Sequence, residues 1–242
     1  MYYDESAVYA RLCEKLYGRN LLQMGMGTVD EMDILLDGLQ IKPEDRVLDI
    51  GCCFGRVTEY LCDKTGADFT GIDIHEKDLS VAKRVERENL RFLLADMTRL
   101  PFAGESFDKI ISLDSLYYAV DLEKTLDSLF TLLKPAGRLC IFWSQPPRIQ
   151  MGDPPTPEQA EVGSWAASRK LAYKAVDRIS EHRAFWEKSK KLFVEMESEF
   201  KNEGMGYHWE QQIKEQREVE ALVSAGKFPR WLYFINKKGV GA

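Results

Sequence analysis

The sequence contains no apolar run long enough to cross a membrane. Its long apolar stretches, such as Leu139–Trp143 and Trp231–Ile235, are of strand length, whereas a membrane helix needs about 20 apolar residues. The first residues, Met1–Ser6, include neither a basic nor an apolar region, so they do not resemble a signal peptide. We therefore expect a cytoplasmic protein with no membrane partner.

The sequence also has no excess of basic residues. Lys and Arg number 33 against 39 Asp and Glu, which gives a net charge of -6. Proteins dedicated to nucleic acids usually carry a basic excess that neutralises phosphates, so we expect no nucleic-acid partner. With 242 residues, of which 45% are hydrophobic, the chain can form one folded domain with a sizeable appendage.

Residues that bind metals or form disulfide frameworks are few and unsuitably spaced. The three histidines, His75, His182 and His208, have no ligand spacing, and the five cysteines include no Cys-x-x-Cys pair, which zinc sites typically use. An odd number of cysteines in a chain of this size favours free, reduced thiols. We expect neither a metal nor disulfide bonds.

The first half of the chain alternates short apolar segments with helix-like segments. Strands are predicted at 46–50, 69–74, 90–94, 107–113 and 138–143. Alternation of this kind indicates βαβ units, and therefore an α/β fold with a mainly parallel sheet covered by helices on both faces.

The second half of the chain has a different composition. Five prolines between positions 146 and 157 predict a loop. The charged, helix-favouring segment 158–225 follows, and after it comes a final predicted strand around Trp231–Ile235. We divide the chain into four parts: an N-terminal helical or flap segment (1–27), an α/β core (28–145), a helical insertion that would act as a substrate lid (146–226) and the last strand of the sheet (227–242).

A strand–turn–helix segment at residues 47–57 carries the most informative motif. Asp49 lies at the end of the predicted strand, and Gly51 and Gly55 frame a turn where a ligand could approach the backbone. The dinucleotide-binding pattern Gly-x-Gly-x-x-Gly is not met, because Cys53 and Phe54 interrupt it. A pyrophosphate-binding loop is therefore less favoured than a site for a cationic or hydroxyl-bearing ligand.

Three more acidic residues stand at or near the ends of the following strands, namely Asp73, Asp96 and Asp114. Taken singly, each could be a helix cap or a turn residue. Because the carboxyl ends of parallel strands meet at one edge of a sheet, the four carboxylates are expected to line one crevice. Such a crevice suits a ligand that has ribose hydroxyls and a positive charge.

These segments resemble the class I S-adenosylmethionine-dependent methyltransferases, particularly the small-molecule branch called methyltransferase type 11. The similarity covers about residues 28–145 and rests on Val47–Gly51 with Gly55, Gly71–Ile74, Ala95–Met97 and Leu132–Arg138. The resemblance implies a doubly wound, mostly parallel Rossmann-like sheet. It also implies S-adenosylmethionine as cofactor, S-adenosylhomocysteine as product, and methyl transfer to a nitrogen, oxygen or carbon atom of a small molecule.

The resemblance implies a role for each matching residue. The methionine part of the cofactor would lie against Asp49, Gly51, Cys53, Gly55 and Leu113, the ribose on Asp73, and the adenine between Ile74, Asp96 and Met97. Cys53 stands where the family usually has a third glycine, and its Cβ would either crowd the cofactor or be accommodated.

The catalytic residues are less well indicated. Asp114, Tyr118 and His208 are candidate bases, and Gly25–Gly27 forms either a flap over the cofactor or an ordinary loop. The insertion would suit a homodimer. Two other functions stay open, namely a catalytically inactive methyltransferase-like binding or regulatory protein and, less favoured, a nicotinamide dehydrogenase.

Overall fold

The computed structural model describes residues 3–144 and 154–238 of the chain. The predicted proline-rich loop therefore lies mostly outside the described residues, as do the last four residues of the predicted final segment.

Within these residues a seven-stranded sheet forms the centre of the fold, in the order β3-β2-β1-β4-β5-β7-β6. Strands β1 to β5 are parallel, and β7 runs antiparallel to both of its neighbours. This confirms the predicted α/β class with a doubly wound, mostly parallel sheet. The strands are β1 (Arg46–Ile50), β2 (Asp68–Asp73), β3 (Leu90–Leu94), β4 (Phe107–Leu113), β5 (Leu133–Ser144), β6 (Ala172–Asp177) and β7 (Arg230–Asn236).

Helices cover the sheet and extend beyond it. The α-helices are α1 (Ala7–Tyr17), α2 (Val29–Leu39), α3 (Arg56–Thr65), α4 (Glu76–Ala82), α5 (Leu122–Leu132), α6 (Glu161–Ser168), α7 (Ile179–Glu195), α8 (Glu197–Asn202) and α9 (Gly206–Ser224). Among the described helices, none combines the length and the apolar character that crossing a membrane requires.

Strand β1 shows how the sequence positions the site. Val47 packs in the apolar cluster on one face of the sheet, whereas Leu48 and Ile50 pack in the cluster on the other face. Because successive side chains of a strand point to opposite faces, Asp49 lies on the Val47 face, where Thr58 of helix α3 meets it. The buried strand pattern thus fixes the orientation of Asp49.

The insertion is not purely helical, because it contains strand β6. Sequence reasoning assigned the whole of 158–225 to helices. β6 forms the sheet edge, and its residues are exposed or half-buried, so its sequence lacks the apolar character of a buried strand. Pairing with the buried strand β7 defines it, and that partner lies far along the chain.

Helices α1, α7, α8 and α9 form a layer beside the core that we call the helical cap. Apolar side chains of α1, such as Leu12, pack against Phe193 and Phe200 of the insertion. The Glu203 carboxylate accepts hydrogen bonds from the first N–H groups of α1, at Ala7 and Val8. The start of the chain therefore packs with the insertion.

Candidate functional site

A cavity of about 880 Å³ opens where strands β1 to β4 end. Ten of the residues predicted for the site line it, namely Asp49, Gly51, Cys53, Asp73, Ile74, Asp96, Met97, Leu113, Asp114 and Tyr118. The parallel sheet brings these residues together because each lies at or shortly after the carboxyl end of a strand.

Carboxylates outnumber basic side chains in the cavity lining. The acidic residues are Asp49, Asp73, Asp78, Asp96, Asp114 and Asp121, and the basic ones are Arg56, Arg99 and Lys124. Among the described residues, no three His, Cys, Asp or Glu side chains are grouped to hold a metal ion. The balance of charge favours a cationic ligand over a phosphate-bearing one.

Asp49 is the most constrained of these carboxylates. The residue is 2% exposed, and its Oδ2 accepts a hydrogen bond from the Thr58 hydroxyl at 2.6 Å. Its Oδ1 is buried and has no hydrogen-bond partner in the described part of the chain. Burial raises the pKa of Asp49 to about 7, against the lowering effect of the Thr58 hydrogen bond. A buried carboxylate of this kind is stabilised by a ligand that carries a positively charged hydrogen-bond donor.

The turn after β1 uses its own N–H groups internally. The N–H groups of Gly51 and Cys52 donate to the Ile72 carbonyl, both at 2.9 Å, and that of Gly55 donates to the Cys52 carbonyl. The Cys53 N–H donates to Asp73 Oδ2 at 2.8 Å. A phosphate-binding loop needs free N–H groups, so this turn is unsuited to a pyrophosphate, which argues against the dinucleotide alternative.

Asp73 and Asp96 are held in place by local backbone contacts. Asp73 accepts the Cys53 N–H through Oδ2 and the His75 N–H through Oδ1, which leaves further lone pairs for ligand hydroxyls. Asp96 accepts the N–H and the hydroxyl of Thr98. The Thr98 N–H bond is the main reason why the pKa of Asp96 is lowered, so this acid is ionised at neutral pH.

The two glycines of the turn have different functions. Gly51 lines the cavity with φ of +78°, and a Cβ there would lie 2.5 Å from Ser115 Cβ. Gly55 also has positive φ, but it is not among the lining residues, and a Cβ there would collide with Phe92 and Ala82. Gly55 therefore allows close packing behind the turn, whereas sequence reasoning placed it against the ligand.

Cys53 adopts the left-handed conformation in which the family usually has glycine, with φ of +49°. Its N–H still reaches Asp73, so the turn accommodates the Cβ. Burial raises the pKa of the thiol far above its usual range, which keeps it protonated and unreactive.

Replacing Cys53 with glycine is expected to raise the free energy of unfolding by up to about 1 kcal/mol, because glycine adopts positive φ without steric cost. The greater flexibility of glycine in the unfolded chain offsets part of this gain. Urea unfolding and S-adenosylmethionine titration of Cys53→Gly test the expectation. We expect unchanged cofactor affinity, and a large loss would mean that the thiol contacts the ligand.

The outer end of the cavity is lined by aromatic and apolar side chains. Tyr118 and Val120 are 77% and 97% exposed, and Met24 is also exposed. Partial desolvation, together with the carboxylates of Glu215 and Asp114, raises the pKa of Tyr118. Tyr118 therefore keeps its proton at neutral pH and can donate a hydrogen bond or pack against an acceptor.

Asp114 belongs to a buried cluster of charges. Arg230, which is 1% exposed, donates to Glu31 through Nε and Nη2, both at 2.9 Å, and to Asp114 at 2.6 and 3.1 Å. Ser144 accepts a further bond from Arg230, and Arg178 Nε lies 3.7 Å from Glu31 Oε1. Both oxygens of Asp114 are engaged, which argues against its predicted role as a free base.

Residues 21–27, which we call the strap, cover one side of the cavity. All of them except Met26 line it. The Met26 N–H donates to Asp114 Oδ2 at 2.9 Å, and the Met26 sulfur lies 3.0 Å from His182 Nε2. Burial lowers the pKa of His182 to about 3, so its ring is neutral. Gly25 and Gly27 thus lie at the cavity, and their role as a flap over the cofactor stays a prediction.

His208 does not lie in the cavity lining. Its ring packs in the helical cap beside Tyr3 and Tyr9, and its Nδ1 is 3.0 Å from the Tyr3 hydroxyl. Burial lowers its pKa to about 4. The structure therefore does not bring this candidate base to the site.

The insertion lies close to the cavity mouth, since Glu215 of α9 contributes to the raised pKa of Tyr118, and its role as a lid stays a prediction. Residues 154–226, the described part of the insertion, contribute nothing to the cavity lining. The strap lines the cavity instead, because α1 packs with the insertion and leads the chain back across the strand ends.

Sequence reasoning missed three residues that shape the site: Gln23 of the strap, Arg230 and Glu31. Glu31 forms a capping box with Thr28 at the start of α2, a local pattern that gives no sign of its ion pair with Arg230. Neither Arg230 nor Gln23 stands in a recognisable motif, so no local signal identified them.

Comparison with known proteins agrees with the geometry. Residues 48–141 match the family model described as a methyltransferase domain. Over 112 residues the chain is 36% identical to the methyltransferase GfsG of Streptomyces halstedii, which covers 44% of this chain and 40% of that protein. The chain thus spans less than half the length of this curated relative.

Two solved structures share the fold over nearly the whole chain. A Haemonchus contortus phosphoethanolamine N-methyltransferase 2, in complex with phosphomonomethylethanolamine and S-adenosylhomocysteine, superimposes with a TM-score of 0.77 at 17% identity over 96% of this chain and 57% of that one. The cyclopropane synthase MmaA2 of Mycobacterium tuberculosis gives a TM-score of 0.75 at 16% identity, covering 98% and 96%. Residues 48–141 of this chain thus match a methyltransferase domain, and both solved structures share its fold.

Proposed function

We propose that this protein transfers a methyl group from S-adenosylmethionine to a nitrogen, oxygen or carbon atom of a small molecule. The observation that carries the proposal is the buried, unpartnered Oδ1 of Asp49 in the cavity of a methyltransferase domain. It is a hydrogen-bond acceptor that the protein itself does not satisfy, and the cofactor brings an ammonium group.

The remaining carboxylates suit the other parts of the cofactor. Asp73, fixed by two N–H groups, would accept the ribose hydroxyls, and Asp96 would accept the adenine amino group. Ile74 and Met97 offer apolar surface to the adenine ring. When bound, S-adenosylmethionine supplies an electrophilic methyl group whose transfer releases a neutral thioether, so no acid is needed.

The cavity favours acceptors that are nucleophilic without a dedicated side-chain base. Asp114 is held by Arg230 and the Met26 N–H, and Tyr118 keeps its proton. Positioning the acceptor and excluding water can supply most of the catalysis. Amines, phenolates and stabilised enolates fit this requirement, whereas simple alcohols do not.

The size of the cavity supports a small-molecule acceptor, and the free thiols support a cytoplasmic location. A volume of about 880 Å³ lies in the upper range for small-molecule pockets and leaves room for a small acceptor beside the cofactor. The five cysteines are free thiols, which supports a reducing compartment such as the cytoplasm.

A methyl-transfer screen with labelled S-adenosylmethionine tests the proposal. The panel would contain amines, phenols, enolisable dicarbonyl compounds and, as a matched control, simple alcohols. We expect labelled product from at least one of the first three classes and none from the alcohols. Cofactor binding without any turnover would favour the alternative of an inactive binding protein, and no binding would exclude the cofactor.

A further inference from the structure

We propose that Gln23 of the strap recognises the carboxylate of the cofactor's amino-acid part. The inference rests on the proposed function, because it names the residue with which this chain would bind the carboxylate end of S-adenosylmethionine. Gln23 would be the hydrogen-bond donor that complements the acceptor Asp49.

The orientation of the Gln23 amide is determined by a backbone contact. Gln23 is 6% exposed and lines the cavity, and its Oε1 lies 3.0 Å from the Leu21 N–H. Because an N–H group can only donate, the amide oxygen must face Leu21. The amide nitrogen, Nε2, therefore faces away from Leu21, and it is buried without a hydrogen-bond partner in the described residues.

Two unpartnered atoms of opposite character thus belong to residues of one cavity. Asp49 Oδ1 is an acceptor and Gln23 Nε2 is a donor. Buried polar groups are normally satisfied, and a ligand that satisfies both must carry a donor and an acceptor. The amino-acid part of S-adenosylmethionine carries an ammonium and a carboxylate, which meet these two requirements.

Four of the five N–H groups in the turn after β1, residues 51–55, are not available for the role of Gln23. Those of Gly51, Cys52, Cys53 and Gly55 already donate within the protein. Arg56 also lines the cavity, but its side chain is 41% exposed and its guanidinium pairs with Glu59 at 2.8 Å. An exposed, paired charge of this kind is screened by solvent, so the buried amide is the better placed donor.

The backbone of Gln23 connects this contact to the helical cap. The Tyr9 hydroxyl of α1 donates to the Gln23 carbonyl at 2.6 Å. Tyr9 is buried against the apolar side chains that join α1 to the insertion. The cap therefore fixes the backbone of Gln23 beside the cavity.

Calorimetric titration with three ligands tests the inference. S-adenosylmethionine carries both the ammonium and the carboxylate, its decarboxylated form keeps only the ammonium, and methylthioadenosine has neither. For Gln23→Leu we expect the affinity for S-adenosylmethionine to fall roughly 10- to 100-fold, as for loss of a hydrogen bond to a charged group. The affinities for the other two ligands should stay unchanged.

Two further variants separate recognition from folding. Gln23→Glu can still accept the Leu21 N–H but places a negative charge in front of the carboxylate, so its selective loss should be at least as large. Asp49→Asn should weaken both ammonium-bearing ligands and leave methylthioadenosine unchanged. Thermal unfolding of each variant shows whether the fold is retained.

The outcomes distinguish this inference from the proposed function. If the wild-type protein binds S-adenosylmethionine and both Gln23 variants weaken all three ligands equally, or none of them, the inference is wrong and the proposed function stands. If the wild-type protein binds none of the three ligands, the proposed function fails and the inference fails with it.

Discussion

Replacing Arg230 with methionine is expected to lower the free energy of unfolding by about 3–5 kcal/mol, as is typical when one partner of a buried ion pair is removed. Arg230 provides all its donors to Glu31, Asp114 and Ser144. Without it, two carboxylates would stay buried with little compensation, because methionine fills the space but donates no hydrogen bond.

Urea unfolding of Arg230→Met and of a matched surface variant, Arg91→Ala, measures this effect. Arg91 also makes two hydrogen bonds to one carboxylate, that of Asp68, but both side chains are partly exposed. The surface variant should lose no more than about 1 kcal/mol. Equal losses for the two variants would show that burial does not decide the strength of the Arg230 contacts.

A second test of the same point uses the carboxylates. Adding Glu31→Gln and Asp114→Asn to Arg230→Met removes the uncompensated charges while keeping the size of the side chains. We expect this triple variant to recover part of the lost stability. No recovery would mean that packing around the arginine, and not its charge, stabilises this region.

The affinity for S-adenosylmethionine is expected to fall by up to about tenfold per pH unit as the pH drops below about 7. Burial raises the pKa of Asp49 to about 7, so protonation of this one carboxylate competes with binding of the ammonium group. Above this pH the affinity should level off, because the carboxylate is then fully ionised.

The stability of the ligand-free protein depends on pH in the opposite sense, because the raised pKa of Asp49 favours the folded state at low pH. The folded state takes up the Asp49 proton at a higher pH than the unfolded state, whose carboxyl has a pKa of about 4. The contribution of this group to stability therefore increases as the pH falls from about 7 to about 4, and is lost as the pH rises through 7.

S-adenosylmethionine titrations across this pH range with wild type and Asp49→Asn measure the effect on affinity, and urea unfolding of the two ligand-free proteins measures the effect on stability. The variant should bind S-adenosylmethionine weakly at every pH and show a flatter profile. Methylthioadenosine, which lacks the ammonium group, serves as a control whose affinity should not follow the titration of Asp49. A steep profile that persists in Asp49→Asn would assign the titrating group to another residue.

The sheet and most of its ligand-facing residues could be predicted from the sequence. Buried parallel strands appear as apolar runs, and β1 to β4 each carry an acidic residue at or near their ends. Because parallel strands end at the same edge of a sheet, the position of Asp49, Asp73 and Asp96 at that edge can be predicted from local pattern alone.

The remaining features depend on contacts between distant parts of the chain. Arg230 lies 116 positions from Asp114 and 199 from Glu31, and no local pattern records such a pair. Strand β6 exists because β7 pairs with it. His208 seemed suitable as a base by residue type, but the packing of α1 against the insertion buries it in the cap.

The buried cluster at Arg230 lies where the cap connects to the core. The strap contributes the Met26 N–H, Arg178 is the residue that precedes α7, and Arg230 is the first residue of β7. A fragment cut at the limits of the family match, residues 48–141, would keep Asp114 and lose its arginine. Such a fragment would leave the buried carboxylate of Asp114 without its cation, so we expect it to be less stable than the whole chain.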